Sequence, residues 1–266
     1  MTRKIIHTLL LKLMILLCCC SLSFAQTDGK NEAVSVGESL SYEVKLSKAI
    51  FRGISVADIN FTLARAANGE DYLIKTEARS KGSLTRLVRF SFLQMFESMV
   101  DGEKFRILRT TKRDEQDERV RDSEAVFDYD DRRVTYTETD PNDRMRPPRR
   151  IASAIEDGTQ DLISGIYTLR RLPLAAGKTF QLTVSDSGLV YKIPVRVTAR
   201  ELQNTILGKI WCFRLEPEVF GANRIIEQKG TMTIWIMDDP RRIPVRAQIN
   251  TDGYKIEVKL KKFTRR

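Results

Sequence analysis

Polar and apolar residues alternate along most of this chain. Leu40, Tyr42, Val44 and Leu46 are separated by Ser41, Glu43 and Lys45, and that period of two predicts a half-buried strand opening at Gly37-Glu38. Ile59, Phe61 and Leu63 predict a second strand. Ile54 and Val56 fall out of phase with it, so a bulge is expected near Ala57-Asp58. Asn68-Gly69 marks a tight hairpin. Ser83 is placed to cap a short helix carrying Leu84, Leu87 and Val88, after which Phe90, Phe92, Phe96 and Val100 return to period two. A solvated bend is expected at residues 114–118, where charges of both signs mix. Further strands are predicted over 121–127, 133–139, 179–185 and 189–201, through Trp211 and Phe213, and over 231–237, 242–250 and 254–260. Pro194 inside one of them implies an edge or a bulge.

Residues 161–173 break the pattern. Leu162, Ile163, Ile166, Tyr167 and Leu169 recur at three- and four-residue spacing, the signature of a helix with one apolar face. Asp161 is its predicted N-cap, and Pro173 stops it because proline has no N–H to donate. Neither flanking half carries a second layer to cover its sheet, so the helix is expected to pack against both and make one domain over 37–260. Before it, residues 141–160 read as an irregular basic loop: Pro141, Pro147 and Pro148 oppose regular structure, while Arg144, Arg146, Arg149 and Arg150 outweigh Asp143. Such a loop is either a solvated connector or an anion-binding flap. No repeat of 20–50 residues is visible.

Composition then narrows the chemistry. Residues 1–25 read as a cleavable export signal, with Arg3 and Lys4 before the apolar run Leu9 to Leu17 and small residues at Ser23 and Ala25. Residues 26–36 read as a polar, disordered N-terminus, and 261–266 as a basic tail. Cys18, Cys19 and Cys20 raise a lipid-anchored alternative, although Leu or Cys precedes each where a small residue is preferred. Removing the leader takes His7, the sole histidine, and leaves Cys212 as the one thiol. That excludes an intramolecular disulfide, histidine-based nucleophilic catalysis and histidine-ligated metal centres. The formal charge of +10 falls to +7 once Arg3, Lys4 and Lys12 are gone, which favours anionic lipid headgroups or acidic glycans as neighbours. The export signal and the lack of a recognition motif argue against nucleic acid.

Candidate site residues carry a bland reading beside each functional one. Phe92, Phe96, Ile166, Tyr167, Trp211 and Trp235 are either core or the lining of a groove for an apolar ligand. Arg170 either binds its own helix's terminal carbonyls or pairs with a buried carboxylate such as Glu97 or Glu201. Glu156, Asp157 and Asp161 suggest the paired carboxylates of a hydrolase, against a plain role at the helix's positive end. Asp238-Asp239 before Pro240 reads as a turn rather than a metal site. No nucleophile elbow, phosphate loop or metal-spaced ligand set is present, so no catalytic residue, metal or cofactor is assigned.

Several motifs together resemble the exported bacterial family called domain of unknown function 3108. They are Gly37-Glu38-Ser39-Leu40-Ser41-Tyr42; then Asp161, Ser164, Tyr167 and Leu169-Arg170, followed by Gly177; and residues 234–239 with Arg242-Ile243-Pro244-Val245 and Gly253. Leu162 departs from the proline expected after the helix-opening Asp. The resemblance implies a mainly β fold, a curved antiparallel sheet forming an incomplete barrel; because a sheet face must be covered, the one central helix is expected to pack in its concave side. It carries no catalytic residue. The reading that follows is a non-catalytic, monomeric periplasmic protein, peripheral to the membrane at most, binding a lipid or other apolar ligand in a groove of the sheet. The alternative is a structural or interaction protein whose basic surface binds anionic envelope glycans or envelope partners. A carboxylate hydrolase is third.

Overall fold

The computed structural model describes residues 33–48 and 51–265. The leader with its cysteines, and residues 26–32 of the expected disordered terminus, lie outside the described residues. Ala33, which is described, is buried.

Strands β1 (Ser39–Lys48), β2 (Phe51–Arg65), β3 (Tyr72–Ser80), β4 (Phe92–Val100), β5 (Ile107–Gln116), β6 (Arg119–Asp128), β7 (Arg133–Thr139) and β8 (Arg149–Ala154) follow one another as an antiparallel meander, with helix α1 (Gly82–Val88) between β3 and β4. The two-residue β9 (Gln160–Asp161) opens directly into helix α2 (Leu162–Arg171). A second meander then runs through β10 (Thr179–Asp186), β11 (Leu189–Thr205), β12 (Gly208–Pro217), β13 (Gly230–Met237), β14 (Pro244–Thr251) and β15 (Tyr254–Thr264). β1 pairs with β15, so one fifteen-stranded sheet results, with the first and last strands at its centre and β8 and β9 at its edges.

Alternation decides which face is core. In β1, Leu40, Tyr42, Val44 and Leu46 are all buried, and their partners across β2 and β15 continue the apolar face. The bulge falls one residue earlier than expected. Val44 pairs with Ala57 and Lys45 with Ser55, so Val56 is the extra residue, and both Val56 and Ala57 are buried. The sheet curls until its edges approach. Ser153 Oγ of β8 donates to Gly188 O in the β10–β11 turn at 2.6 Å, but no ladder joins the edges, so the curved sheet is not closed into a barrel. Gly188 has a φ of +81°, and a Cβ there would lie 2.7 Å from Tyr136 Cβ and 2.9 Å from Ile151 Cβ.

Helix α2 is capped as expected. Ile163 N and Ser164 N donate to Asp161 Oδ1 at 3.0 and 2.6 Å, and Asp161 N donates back to Ser164 Oγ at 3.1 Å, a full capping box. Eight of its ten residues are buried, and it touches β3, β4, β9 and β10. One continuous apolar cluster includes Leu162, Ile163, Ile166, Tyr167 and Leu169 with residues of both meanders.

Four local expectations are corrected. Residues 141–160 are not wholly irregular, because β8 occupies 149–154; Pro147 and Pro148 stand just before the strand, where no ladder N–H is lost. Ser83 does not cap α1; Lys81 is the N-cap without a side-chain bond, and Ser83 Oγ donates to Ser55 O. The bend expected at residues 114–118 is confined to the end of that range. Strand β5 runs to Gln116, and Asp114 is buried, accepting from Gln94 and Gln116 at 2.9 Å each. Pro194 lies in a strand flanked on both sides, but the ladder to β12 starts only at Val195, so its missing N–H costs nothing there.

Candidate functional site

The fold has a small space inside and several larger grooves on its outer surface, of about 550, 460 and 480 Å³. Inside, Phe96, Thr110, Lys112, Ala125, Ile163 and Ser185 are among the residues around a cavity of about 40 Å³ beside the start of α2. Asp161 dominates its chemistry. The Oδ1 atom is committed to the helix cap, and Oδ2 accepts from Ser98 Oγ and from Thr110 Oγ1, the latter at 2.5 Å. Lys112 Nζ sits 5.1 Å from the Phe96 ring centroid and 3.5 Å from Asp114. Asp161 and Lys112 are both partnered, whereas Ser185 Oγ is buried without a hydrogen-bond partner among the described residues, and the space takes a few water molecules at most.

Outside, strand parity builds a larger groove. Leu215, Ile234, Ala247 and Val258 pair across β12 to β15 and are buried. The adjacent rung, Arg214, Trp235 and Arg246, therefore faces the opposite way. The segment 218–229 forms one wall. Val219, Ile225 and Ile226 anchor it in the core, and Phe220 packs so close to Gly230 that a Cβ there would lie 2.6 Å from its ring. The groove encloses about 550 Å³. Its lining holds Arg196, Arg214, Arg224 and Arg246 against Glu216 and Glu218, with Thr231, Thr233, Gln248 and Asn250 along its floor.

The four guanidinium groups are held in place by carboxylates, and Arg246 also donates to Gln203 and Gln248 at 3.3 Å each. Arg196 and Arg224 share Glu218 at 3.3 and 3.2 Å, Arg214 pairs with Glu216 at 2.8 Å, and Arg246 with Glu257 at 2.5 Å. Arg224 also donates to Lys192 O at 2.9 Å. The Nε atoms of Arg214 and Arg246 are buried without a hydrogen-bond partner among the described residues. Glu257 is held below the usual carboxylate range: burial opposes this, but the hydrogen bonds and charges of Lys259 and Arg246 outweigh it.

The residues singled out from sequence do not converge on one site. Phe92, Phe96, Ile166 and Tyr167 are buried in the core, and of these Phe96 borders the small interior cavity. Trp235 is on the outer face with its ring 4.7 Å from the Arg246 guanidinium and its Nε1 donating to Glu201. Trp211 is 47% exposed, with Arg200 over its ring at 4.5 Å. Arg144, Arg146, Arg149 and Arg150 are all exposed, in the β7–β8 loop and at the start of edge strand β8. Arg170 pairs with neither Glu97 nor Glu201 but with Glu38. Glu97 instead meets Lys75 on the surface at 2.6 Å. Glu156 lies half-exposed against Lys192, whereas Asp161 is buried. Asp238 and Asp239 are taken by Arg200, Arg242 and Arg241. The arginine row was not singled out from sequence. Each residue looks like an ordinary outward strand position, and only the cross-strand register puts them side by side.

Fold and site together define a β-barrel-like protein built on one open sheet. The chain belongs to a protein family of unknown function, DUF3108, whose model matches residues 41–259. No curated protein matches it. Among solved structures it is similar to a beta-barrel-like protein of domain of unknown function DUF1849 from Brucella abortus, at 12% identity and a TM-score of 0.54, covering 86% of this chain and 98% of that one. A protein from Bacteroides fragilis described as exported, with a YmcC-like fold, matches at 9% identity and a TM-score of 0.36, covering 87% and 97%.

Proposed function

We propose that this chain is a non-catalytic protein of the cell envelope, exported through the leader of residues 1–25, that binds an anionic glycan in the arginine-lined groove of its outer face. The groove carries the reading. At about 550 Å³ it has the size of a ligand site. Its guanidinium groups match carboxylate geometry, and its Thr, Gln and Asn side chains suit sugar hydroxyls. The interior supports an apolar ligand less well. The space beside α2 is about 40 Å³, against the ~300 Å³ or more of a typical ligand pocket.

Calorimetric titration with polygalacturonate, and with its neutral methyl ester as control, tests the reading. Binding of the acidic polymer is expected to weaken as salt rises, and to fall about tenfold in an Arg196→Gln/Arg224→Gln variant, each lost charge-assisted contact costing roughly 1 kcal/mol or less at an exposed site. An Arg144→Gln/Arg146→Gln variant is expected to bind as the parent does. Salt-independent binding, or undiminished binding by the groove variant, sinks the proposal.

A further inference from the structure

Four of the protein's exposed large apolar side chains, Leu202, Ile206, Leu207 and Trp211, lie on one hairpin, with exposures of 48, 52, 37 and 47%. Isolated exposed apolar residues are ordinary; a cluster at one projecting point is not. The β10–β11 ladder ends at Arg196, and the β12–β13 ladder begins at Cys212. From Ala199 to Trp211 the β-ladder of β11 and β12 joins only these two strands. Trp211 O still accepts from Asp238 N at 2.8 Å, and Glu201 and Gln203 accept from Trp235 and Arg246, so the part without such ties is Asn204 to Lys209. The two strand ends form a two-stranded ribbon that runs past both neighbouring strands, and its seven residues from 199 to 205 reach about 20 Å at the usual rise of a strand.

The apolar character of this ribbon continues from the core. Leu215 and Phe213 are buried on the inner face, and Trp211 follows two residues further along the same side of β12. Leu202 lies opposite Trp211, and the tip is Ile206-Leu207-Gly208. A collar of cations surrounds this stripe. Lys209 is exposed on the ribbon, Arg200 lies over Trp211, and Arg242 lies over Phe213 at 4.9 Å. Arg200 and Arg242 share the single carboxylate of Asp238, which leaves that trio with a net positive charge; Asp239 pairs with Arg241, and Glu201 accepts from Trp235 and Gln203.

We propose that this hairpin is a membrane-surface anchor, inserting Ile206 and Leu207 into the acyl boundary of an anionic bilayer. Its shape favours a fluid surface over a protein partner: the tip is convex and offers no groove. Trp211 stands four residues below Leu207, about 13 Å along the strand, which puts its ring at the headgroup level where tryptophan accumulates. Lys209 and the arginine collar complement lipid phosphate. With so few side chains entering the bilayer, attachment is weak and reversible.

Co-sedimentation with phosphatidylcholine–phosphatidylglycerol vesicles, alongside tryptophan quenching by brominated lipids, tests the proposal. The full chain is expected to partition onto the anionic vesicles at low salt with quenched fluorescence. An Ile206→Asp/Leu207→Asp variant is expected to lose about 100-fold in partition, tenfold or more for each side chain no longer transferred. Its circular dichroism and melting should stay as in the parent, since the tip lies outside the core. Trp211→Phe should remove the quenching, leaving the buried Trp235 unaffected. The groove variant Arg196→Gln/Arg224→Gln should keep its vesicle binding, so the two proposals fail separately. No partition at low salt, undiminished partition of the tip variant, or quenching that survives Trp211→Phe overturns the anchor.

Discussion

The Arg170 guanidinium meets both carboxylate oxygens of Glu38, at 2.5 and 2.7 Å, with neither side chain exposed to solvent. It thereby ties α2 to the residue just before β1, at the centre of the sheet. Arg170 also donates to Arg241 O at 3.2 Å and lies 5.0 Å from the Tyr167 ring, while Tyr42 OH donates to Pro244 O at 2.8 Å nearby. Burial alone would lower the Arg170 pKa, but the Glu38 carboxylate outweighs it, so the arginine stays charged.

Arg170→Met leaves Glu38 buried without its partner, and is expected to lower stability by about 3–5 kcal/mol in urea unfolding. Replacing both residues, Glu38→Leu with Arg170→Met, should recover much of that loss, because a buried ion pair exchanged for apolar side chains is often close to neutral. A double variant no more stable than Arg170→Met would show that the pair is irreplaceable rather than merely mutually compensating.

At the seam, Gly188→Ala forces a Cβ against Tyr136 and Ile151 at a positive φ. The expected cost is about 2 kcal/mol or more, from strain and overpacking together. Because Ser153 binds Gly188 O, the damage should concentrate in β8. Hydrogen exchange is expected to quicken over residues 149–154 and to change little in β1 and β15. Equal loss of protection throughout would argue against a locally held seam.

Burial, with help from Asp239, Glu201 and Asp238, pushes the Cys212 thiol up from its ordinary 9.0 to about 12. A raised folded-state value means the neutral thiol is favoured by folding. Its contribution is therefore complete below about pH 9 and is lost as pH rises through about 12. The stability gap between the parent and Cys212→Ala is expected to be constant at neutral pH and to narrow across that alkaline window. At pH 8 a thiol reagent should label Cys212 only as fast as the chain unfolds; immediate labelling would contradict its burial.

Much of this architecture was legible residue by residue. Leu40 to Leu46 announced β1 through their period, Asp161 announced the helix start, and Val56 announced a bulge by falling out of phase. What stayed hidden was mostly non-local. Glu38 is 132 residues from Arg170, and nothing in the local pattern distinguishes it from Glu97 or Glu201 as a partner. The prolines at 147 and 148 masked β8 because their penalty depends on whether a ladder needs their N–H, which is a question about the neighbouring strand.

The sequence by itself determined that this protein is β-rich around one capped helix, that its sole histidine is His7, and which positions of each strand turn inward. Local sterics, capping and side-chain period suffice for that. Only the tertiary structure decided that Arg214, Trp235 and Arg246 form one row, that Ser153 reaches Gly188, and that the β11–β12 ribbon outruns its neighbours. Those relations depend on strand register and sheet curvature, set by pairing between segments far apart in the chain, and a local pattern of residues does not encode them.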